Sequence, residues 1–546
     1  MTPRSTVGSA LADAICVSRE NVRQGGPYLA LRDIRPQSSF GFRHSDLIRI
    51  SGIRFSGFAA ILILVAILAI SGCAAPSARI PFPAQPIERS QRGWFYDVHG
   101  KGHADFGLLP DESGKLDVVA YDDDHSGRFN RRYRLSDYAN DDVPHLILLL
   151  DSIPFDAFMQ RYHAGRLAWF DTPQKLIPPF PSMTELIYTR VLHAPPLPGM
   201  IDQYYDPETG QVQNDVLKRA LSGYEEPWER RLHYHASMFE SGLAYIDPRP
   251  WLGAELERAR VTFNDSPDRI TLVYFSSASC ILSRYGATGL DELVDGVERL
   301  CLRLFYERQG AIKISILADH GHNLMASKNI SLADPLKAAG FRVTDRINGP
   351  DDVVLEINGL VTYAAVRTWR PEKVAASLAV LPQIELAMYL DGERVIVRSS
   401  RGSAAVECKN RRVRYVPLDA DVLNYSSVVD ALKTAGKADA DGFASDNDWF
   451  AATLDHQFPD APRRVWDAFH GTAVHPPEVM LTLKDGFCAG LPEYEKYIKM
   501  ASTHGGLNQL NSATAIMSMT GRVKGPLKSK QVLSVLEPGF EPAVRK

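Results

Sequence analysis

The chain has 546 residues, 45% of them hydrophobic and 23% charged, which is ordinary globular composition and excludes a wholly disordered or collagen-like protein. Lys and Arg number 61 against 65 Asp and Glu, a formal charge of −4, so no basic excess points to a nucleic-acid duplex as partner. Six cysteines in so long a chain do not make a disulfide scaffold, and the length allows two to four domains at about 100–200 residues each.

Residues 1–56 hold eight Arg, no Lys and four acidic residues. They read as a disordered extension or as sequence upstream of the true start. Phe58 to Ile70 (FAAILILVAILAI) is a run of 13 apolar residues preceded by Arg49 and Arg54. A spanning helix needs about 20, so this run suits the apolar core of a signal peptide over 57–73. An uncleaved signal anchor and a buried helix are the other readings. The segment Ile70-Ser71-Gly72-Cys73 resembles the lipobox of bacterial lipoproteins. That resemblance implies cleavage before Cys73, a diacylglycerol on its sulfur and attachment to the membrane through that lipid. It places the protein at the cell envelope, on the periplasmic or outer-membrane face in a two-membrane bacterium. Residues 74–89 then form a tether. Export implies an oxidising compartment, in which Cys280, Cys301, Cys408 and Cys488 could pair in ways the sequence leaves open.

Residues 90–140 form a small Asp/Gly-rich module. Asp122, Asp124, Ser126 and Asn130 put oxygen-bearing side chains at loop positions 1, 3, 5 and 9, with Gly127 at position 6. That pattern begins a Ca²⁺ loop, but position 12 is Tyr133 rather than a bidentate Glu. Polar turns between short strands such as Leu116–Tyr121 are the alternative.

From residue 144 strands and helices alternate. His145–Leu150, Ile270–Ser276 and Ile312–Leu317 are continuous apolar runs, as buried parallel strands should be. Leu293, Val297, Leu300 and Leu304 give the intervening Leu290–Arg308 segment one apolar helical face. The pattern predicts an α/β fold with a central, mainly parallel sheet flanked by helices. Residues 144–350 and 500–525 form its core, and 350–500 continue it with a β-rich cap insertion. In that insertion Glu393–Ser399, Ala404–Glu407 and Val413–Val416 read as strands. His233 and His235 are expected on the surface of a helix.

Polar residues at the carboxyl ends of such strands form sites. Asp151 follows one strand, Asp319-His320 another, and Phe180-Pro181-Ser182-Met183-Thr184 lies between them. Two carboxylates and an imidazole suit a divalent metal, and a hydroxyl bound to that metal becomes a nucleophile near neutral pH. In this order the segments resemble the alkaline phosphatase superfamily, in particular type I phosphodiesterases/nucleotide pyrophosphatases. The resemblance covers roughly residues 144–525 and implies an alkaline-phosphatase-like sandwich fold. It implies Thr184 as the nucleophile and Asp151, Thr184, Asp319, His320 and His504 as metal ligands. Gln203, in Gly199-Met200-Ile201-Asp202-Gln203, falls where the family's phosphate-binding Asn sits.

The segment Tyr274–Gly286 departs from the family pattern. Ser279 and Ser283 stand where an Asp and a His would help to hold a second metal. A neutral hydroxyl is a poor ligand for a dication, so one Zn²⁺ is expected and the second is doubtful. The sequence therefore predicts a metal-dependent hydrolase acting on a small phosphate ester. The rival readings are a degenerate member that binds an anionic ligand or an envelope partner, and a related chemistry such as phosphonate cleavage. No C/S-x-P-x-R segment surrounds Thr184, which argues against a sulfatase.

Overall fold

The computed structural model describes residues 82–139, 142–213, 222–496 and 498–545. The apolar run, Cys73 and residues 74–81 of the expected tether lie outside these. Among the described residues no helix is long and apolar enough to cross a membrane.

The central sheet runs in the spatial order 270–275, 145–150, 313–318, 514–518, 174–177, 527–528. Its first three strands are parallel to one another. Only Thr514–Ser518 runs against its neighbours, so the sheet is mainly parallel and the fold is α/β, as expected. The three apolar runs are buried throughout because both faces are covered. Leu146, Leu148 and Leu150 pack on one side against the helices Pro248–Asp265, Ser277–Tyr285 and Ala287–Arg308. Ile147 and Leu149 point the other way, toward Ile187, Tyr188 and Val191 of the helix Thr184–Val191. Period-two alternation thus builds two cores from one strand.

The strands expected near 393–416 are Arg394–Ser399, Gly402–Lys409 and Arg412–Pro417. They form one side of an eight-stranded sheet that also includes 342–343, 352–356, 363–368, 479–483 and 384–391. All its pairings are antiparallel except that of 342–343 with 352–356. The segment therefore carries its own cores on both faces of that sheet.

Residues 88–134 form a five-stranded antiparallel meander. Its aromatic residues share the core of the central sheet. Tyr121 Oη donates to Phe305 O at 2.6 Å, and Trp94 meets Trp169 edge-on with ring centroids 5.8 Å apart. All four described cysteines are free thiols.

The His233–His235 segment is not helical. It lies extended along the free edge of the strand Ile270–Phe275. His233 N donates to Leu272 O and Tyr274 N donates to Tyr234 O, at 2.9 and 3.0 Å. His233 Nδ1 accepts from Leu272 N at 3.0 Å, so this imidazole satisfies a sheet-edge amide.

The helix carrying Ser279 and Ser283 turns at Gly286 (φ 56°) into the long helix Ala287–Arg308. Their contact requires a bare glycine at 289, where a Cβ would stand 2.3 Å from Ile281 O. Gly289→Ala should therefore destabilise the protein by about 1–3 kcal/mol through overpacking. Urea denaturation checks this, and an unchanged midpoint would contradict the packing argument.

Candidate metal and nucleophile site

Register creates the site. Leu150 pairs with Phe275 on one side and with Ala318 on the other. The next residues, Asp151, Ser276 and Asp319, therefore leave the sheet together at its carboxyl edge. The ligand atoms of Asp151, Asp319 and His320 all lie within 4.8 Å of one another. Among the described residues this is the only such convergence of three His, Cys, Asp or Glu side chains. Thr184 opens the helix Thr184–Val191. Its Oγ1 lies 3.4 Å from Asp151 Oδ1 and 3.3 Å from His320 Nε2. A helix start carries partial positive charge, which favours an oxyanion at this position.

Hydrogen bonds fix the donors. Ser152 N and His320 N both donate to Asp319 Oδ1 at 2.8 Å. Ser152 reaches that position in the left-handed region, at φ 71°, which costs a non-glycine residue energy. Tyr274 Oη donates to Asp151 Oδ2 at 2.9 Å. His320 Nδ1 lies 2.9 Å from Gly321 O, which keeps the proton on Nδ1 and leaves Nε2 as the lone-pair donor to the site.

The set is deeply buried. Asp319 and His320 are wholly inaccessible, and Asp151 is 7% exposed. Burial drives the Asp319 carboxyl up to about 7 and the His320 imidazole down to about 4. Asp151 is also raised, by burial and then by the charge of Asp319. Two adjacent buried carboxylates cannot both ionise without a compensating charge. Asp319 Oδ2, moreover, is buried with no hydrogen-bond donor. Two carboxylates, one neutral imidazole and a hydroxyl fit a tetrahedral, zinc-like dication.

His504 stands beside this group. Its ring stacks on His320 with centroids 3.9 Å apart and planes 16° apart, and its Nδ1 lies 3.2 Å from Ser182 O. Ser279 and Ser283 are buried. Ser283 Oγ lies 3.4 Å from His322 Nε2, while His322 Nδ1 bonds Ser502 Oγ. Cys280 Sγ points instead to Ser276 O at 3.3 Å.

A cavity of about 330 Å³ opens on Thr184, Asp151 and His504. Asp202 lines it, but the neighbouring Gln203 does not. Gln203 Oε1 accepts from Ile357 N at 3.1 Å, tying its loop to the second sheet. In the meander, Asp122 accepts from Ser126 N and Gly127 N at 2.9 and 2.8 Å. Asp124 Oδ1 accepts from Ser126 N at 3.2 Å, and Asn130 Oδ1 from Asp123 N at 3.2 Å. These side chains close a tight turn on backbone amides.

Tyr274 and Arg464 also support the site, without any role expected for them from the sequence. Arg464, 3% exposed, donates to Ser182 Oγ and Ser512 Oγ at 3.1 and 2.7 Å and to Leu507 O at 2.9 Å. It thereby ties the turn before Thr184 to the loop after His504. Tyr274 could have been found as a polar tip near the end of an apolar run. Arg464 has no local signal, because its partners are remote in sequence.

Among solved structures, two of phosphonoacetate hydrolase from Sinorhizobium meliloti 1021 are similar to this chain. The complex with phosphonoacetate gives a TM-score of 0.39 at 12% identity, and that with phosphonoformate 0.38 at 10%. Each match covers 78% of this chain and 100% of the other. No family model and no curated protein matches the chain.

Two predictions follow from this geometry. An unfolded Asp titrates near 3.9, whereas folded Asp319 titrates at about 7. Between these values the folded state holds a proton that the unfolded state has lost, so Asp319 costs stability as pH rises from about 4 to 7. In metal-free protein Asp319→Asn should gain on wild type across that window and level off above it. Chemical denaturation at several pH values measures this, and a pH-independent difference would contradict it. Arg464→Ala strands buried carbonyls and hydroxyls, so unfolding free energy should fall by about 2–4 kcal/mol. A loss under about 0.5 kcal/mol would show that the tie is dispensable.

Proposed function

We propose that the chain is a metal-dependent hydrolase of small phosphate mono- or diesters, of the alkaline phosphatase type. In this reading Thr184 is the nucleophile, and a single zinc-like ion is held by Asp151, Thr184, Asp319 and His320. The observation that carries it is the meeting of the Thr184 hydroxyl with Asp151, Asp319 and His320 at one buried strand edge. The lipobox resemblance adds a location at the cell envelope, held to the membrane through Cys73.

The ion would supply Lewis-acid polarisation and lower the pKa of the Thr184 hydroxyl. The chain's own groups do the rest. The helix start favours negative charge on Thr184 Oγ1. Tyr274 and Ser152 hold the two carboxylates in place. Thr184 Oγ1, its proton released to solvent, attacks phosphorus; the bond from phosphorus to the leaving oxygen breaks, the leaving alcohol takes up a proton, and the phosphoryl group passes to Thr184. Water then cleaves that phosphothreonine and regenerates the hydroxyl.

Ser279 and Ser283 favour a second reading, in which the chain binds a phosphate ester without clearing it. The loss of one electrostatic contact typically costs about 10²–10³-fold in rate. That loss would fall chiefly on the water step, because in the resembled mechanism the second ion serves the water.

A nitrophenyl phosphodiester assay on zinc-loaded protein separates these readings. Thr184→Ala should lower turnover by at least about 10²-fold. Equal rates in wild type and variant would remove Thr184 from the reaction. A single stoichiometric burst of nitrophenol without turnover would favour the second reading.

A further inference from the structure

Phe106 pairs with Tyr96 on one side and with Tyr121 on the other, so the loops 97–105 and 122–130 leave the meander at one end. Asp122 N donates to Asp105 O at 3.0 Å, which sets these two acids side by side. Both are buried, Asp105 at 3% exposure and Asp122 at 2%. Their oxygens are engaged on the turns. Asp105 accepts from Val98 N and His99 N at 2.7 and 3.0 Å, and Asp122 from Ser126 N and Gly127 N at 2.9 and 2.8 Å. Asp97 likewise accepts from Lys101 N and Gly102 N at 2.8 and 2.7 Å. These loops therefore commit to amides the oxygens that a Ca²⁺ shell would need.

Imidazoles stand outside this acidic floor. His99 Nδ1 lies 2.5 Å from Asp105 Oδ2, and His103 Nδ1 lies 3.7 Å from Asp122 Oδ2. The ring of His99 meets that of His125, from the other loop, edge-on with centroids 5.2 Å apart and planes at 75°. Two imidazoles on one tetrahedral ion, with nitrogens about 2.0–2.1 Å from it, have centroids roughly 5 Å apart. The Asp105 carboxylate holds the proton on His99 Nδ1 and leaves the Nε2 lone pair to bind. Histidines that hold metals are oriented in this way, by a carboxylate on the other ring nitrogen. His99 Nε2 faces Tyr306 Oη at 3.5 Å, too long for a strong hydrogen bond. Both His99 and His125 are exposed, which gives an ion a path to them.

We propose that the meander carries a second metal site, in which a zinc-like dication joins its two loops through His99 and His125, with water completing the shell. Imidazole nitrogens select Zn²⁺, Ni²⁺ or Cu²⁺ over Ca²⁺ and Mg²⁺. With two protein ligands and open solvent, this site is weaker than that of Asp151, Asp319 and His320 and fills after it. The proposal is independent of the hydrolase reading, because it uses no residue of the Thr184 site.

The test is a calorimetric titration of Zn²⁺ into the metal-free full chain, comparing wild type with the double variant His99→Ala/His125→Asn. Both positions are exposed, and Asn tolerates the left-handed backbone of residue 125, where φ is 55°. Wild type should bind one Zn²⁺ per chain more than the double variant. Asp105→Asn, which removes the charge behind His99, should weaken that additional ion by about 10–100-fold and leave any other unchanged. Ca²⁺ in about tenfold excess should not displace it. Equal Zn²⁺ stoichiometry in wild type and double variant overturns the proposal, and so does displacement of the additional ion by Ca²⁺.

Discussion

The pairing of Leu150 with both Phe275 and Ala318 is the constraint on which the site depends. Strand register is quantised, since a slip of one residue turns every side chain to the opposite face. Here both faces are buried, so a slip would exchange two packed cores as well as move the acids. The energy that holds Asp151 beside Asp319 is therefore the burial of the apolar runs that precede them. The carboxylates oppose the arrangement, as their raised pKa values record.

That opposition gives the site its chemistry. A protein can bury two adjacent acids if a proton or a cation neutralises them. The orphaned Asp319 Oδ2 and the lone pair on the neutral His320 are what a cation would satisfy and a proton on one carboxyl would not. Second-layer groups hold this arrangement from separate parts of the chain. Tyr274 acts from the neighbouring strand, and Arg464 from the helix Ala461–Phe469 of the other sheet's segment. The two sheets are thus joined at the turn before Thr184 rather than linked only by the chain.

The parts of this architecture legible in the sequence are those specified by local pattern. The apolar runs 145–150, 270–276 and 312–317 emerge as the strands His145–Leu150, Ile270–Phe275 and Lys313–Ala318, because strand burial follows composition directly. The acids after two of those runs were visible for the same reason. The reversed strand Thr514–Ser518 was not, since five residues carry no sign of direction. His233–His235 looked like a helical surface because its polar residues hide a role that depends on a distant strand edge. Five of the eight strands of the second sheet have no counterpart in the sequence pattern, because strands such as 352–356 and 479–483 are far apart in sequence and meet only through 363–368. The stacking of His504 on His320 is likewise a product of tertiary folding.

The most direct test of the central claim is the position of bound zinc, located by anomalous diffraction from crystals of the protein grown with stoichiometric zinc. The account predicts one strong peak about 2.0–2.2 Å from donor atoms of Asp151, Asp319 and His320. A peak elsewhere with this trio empty, or no bound zinc at all, would contradict it.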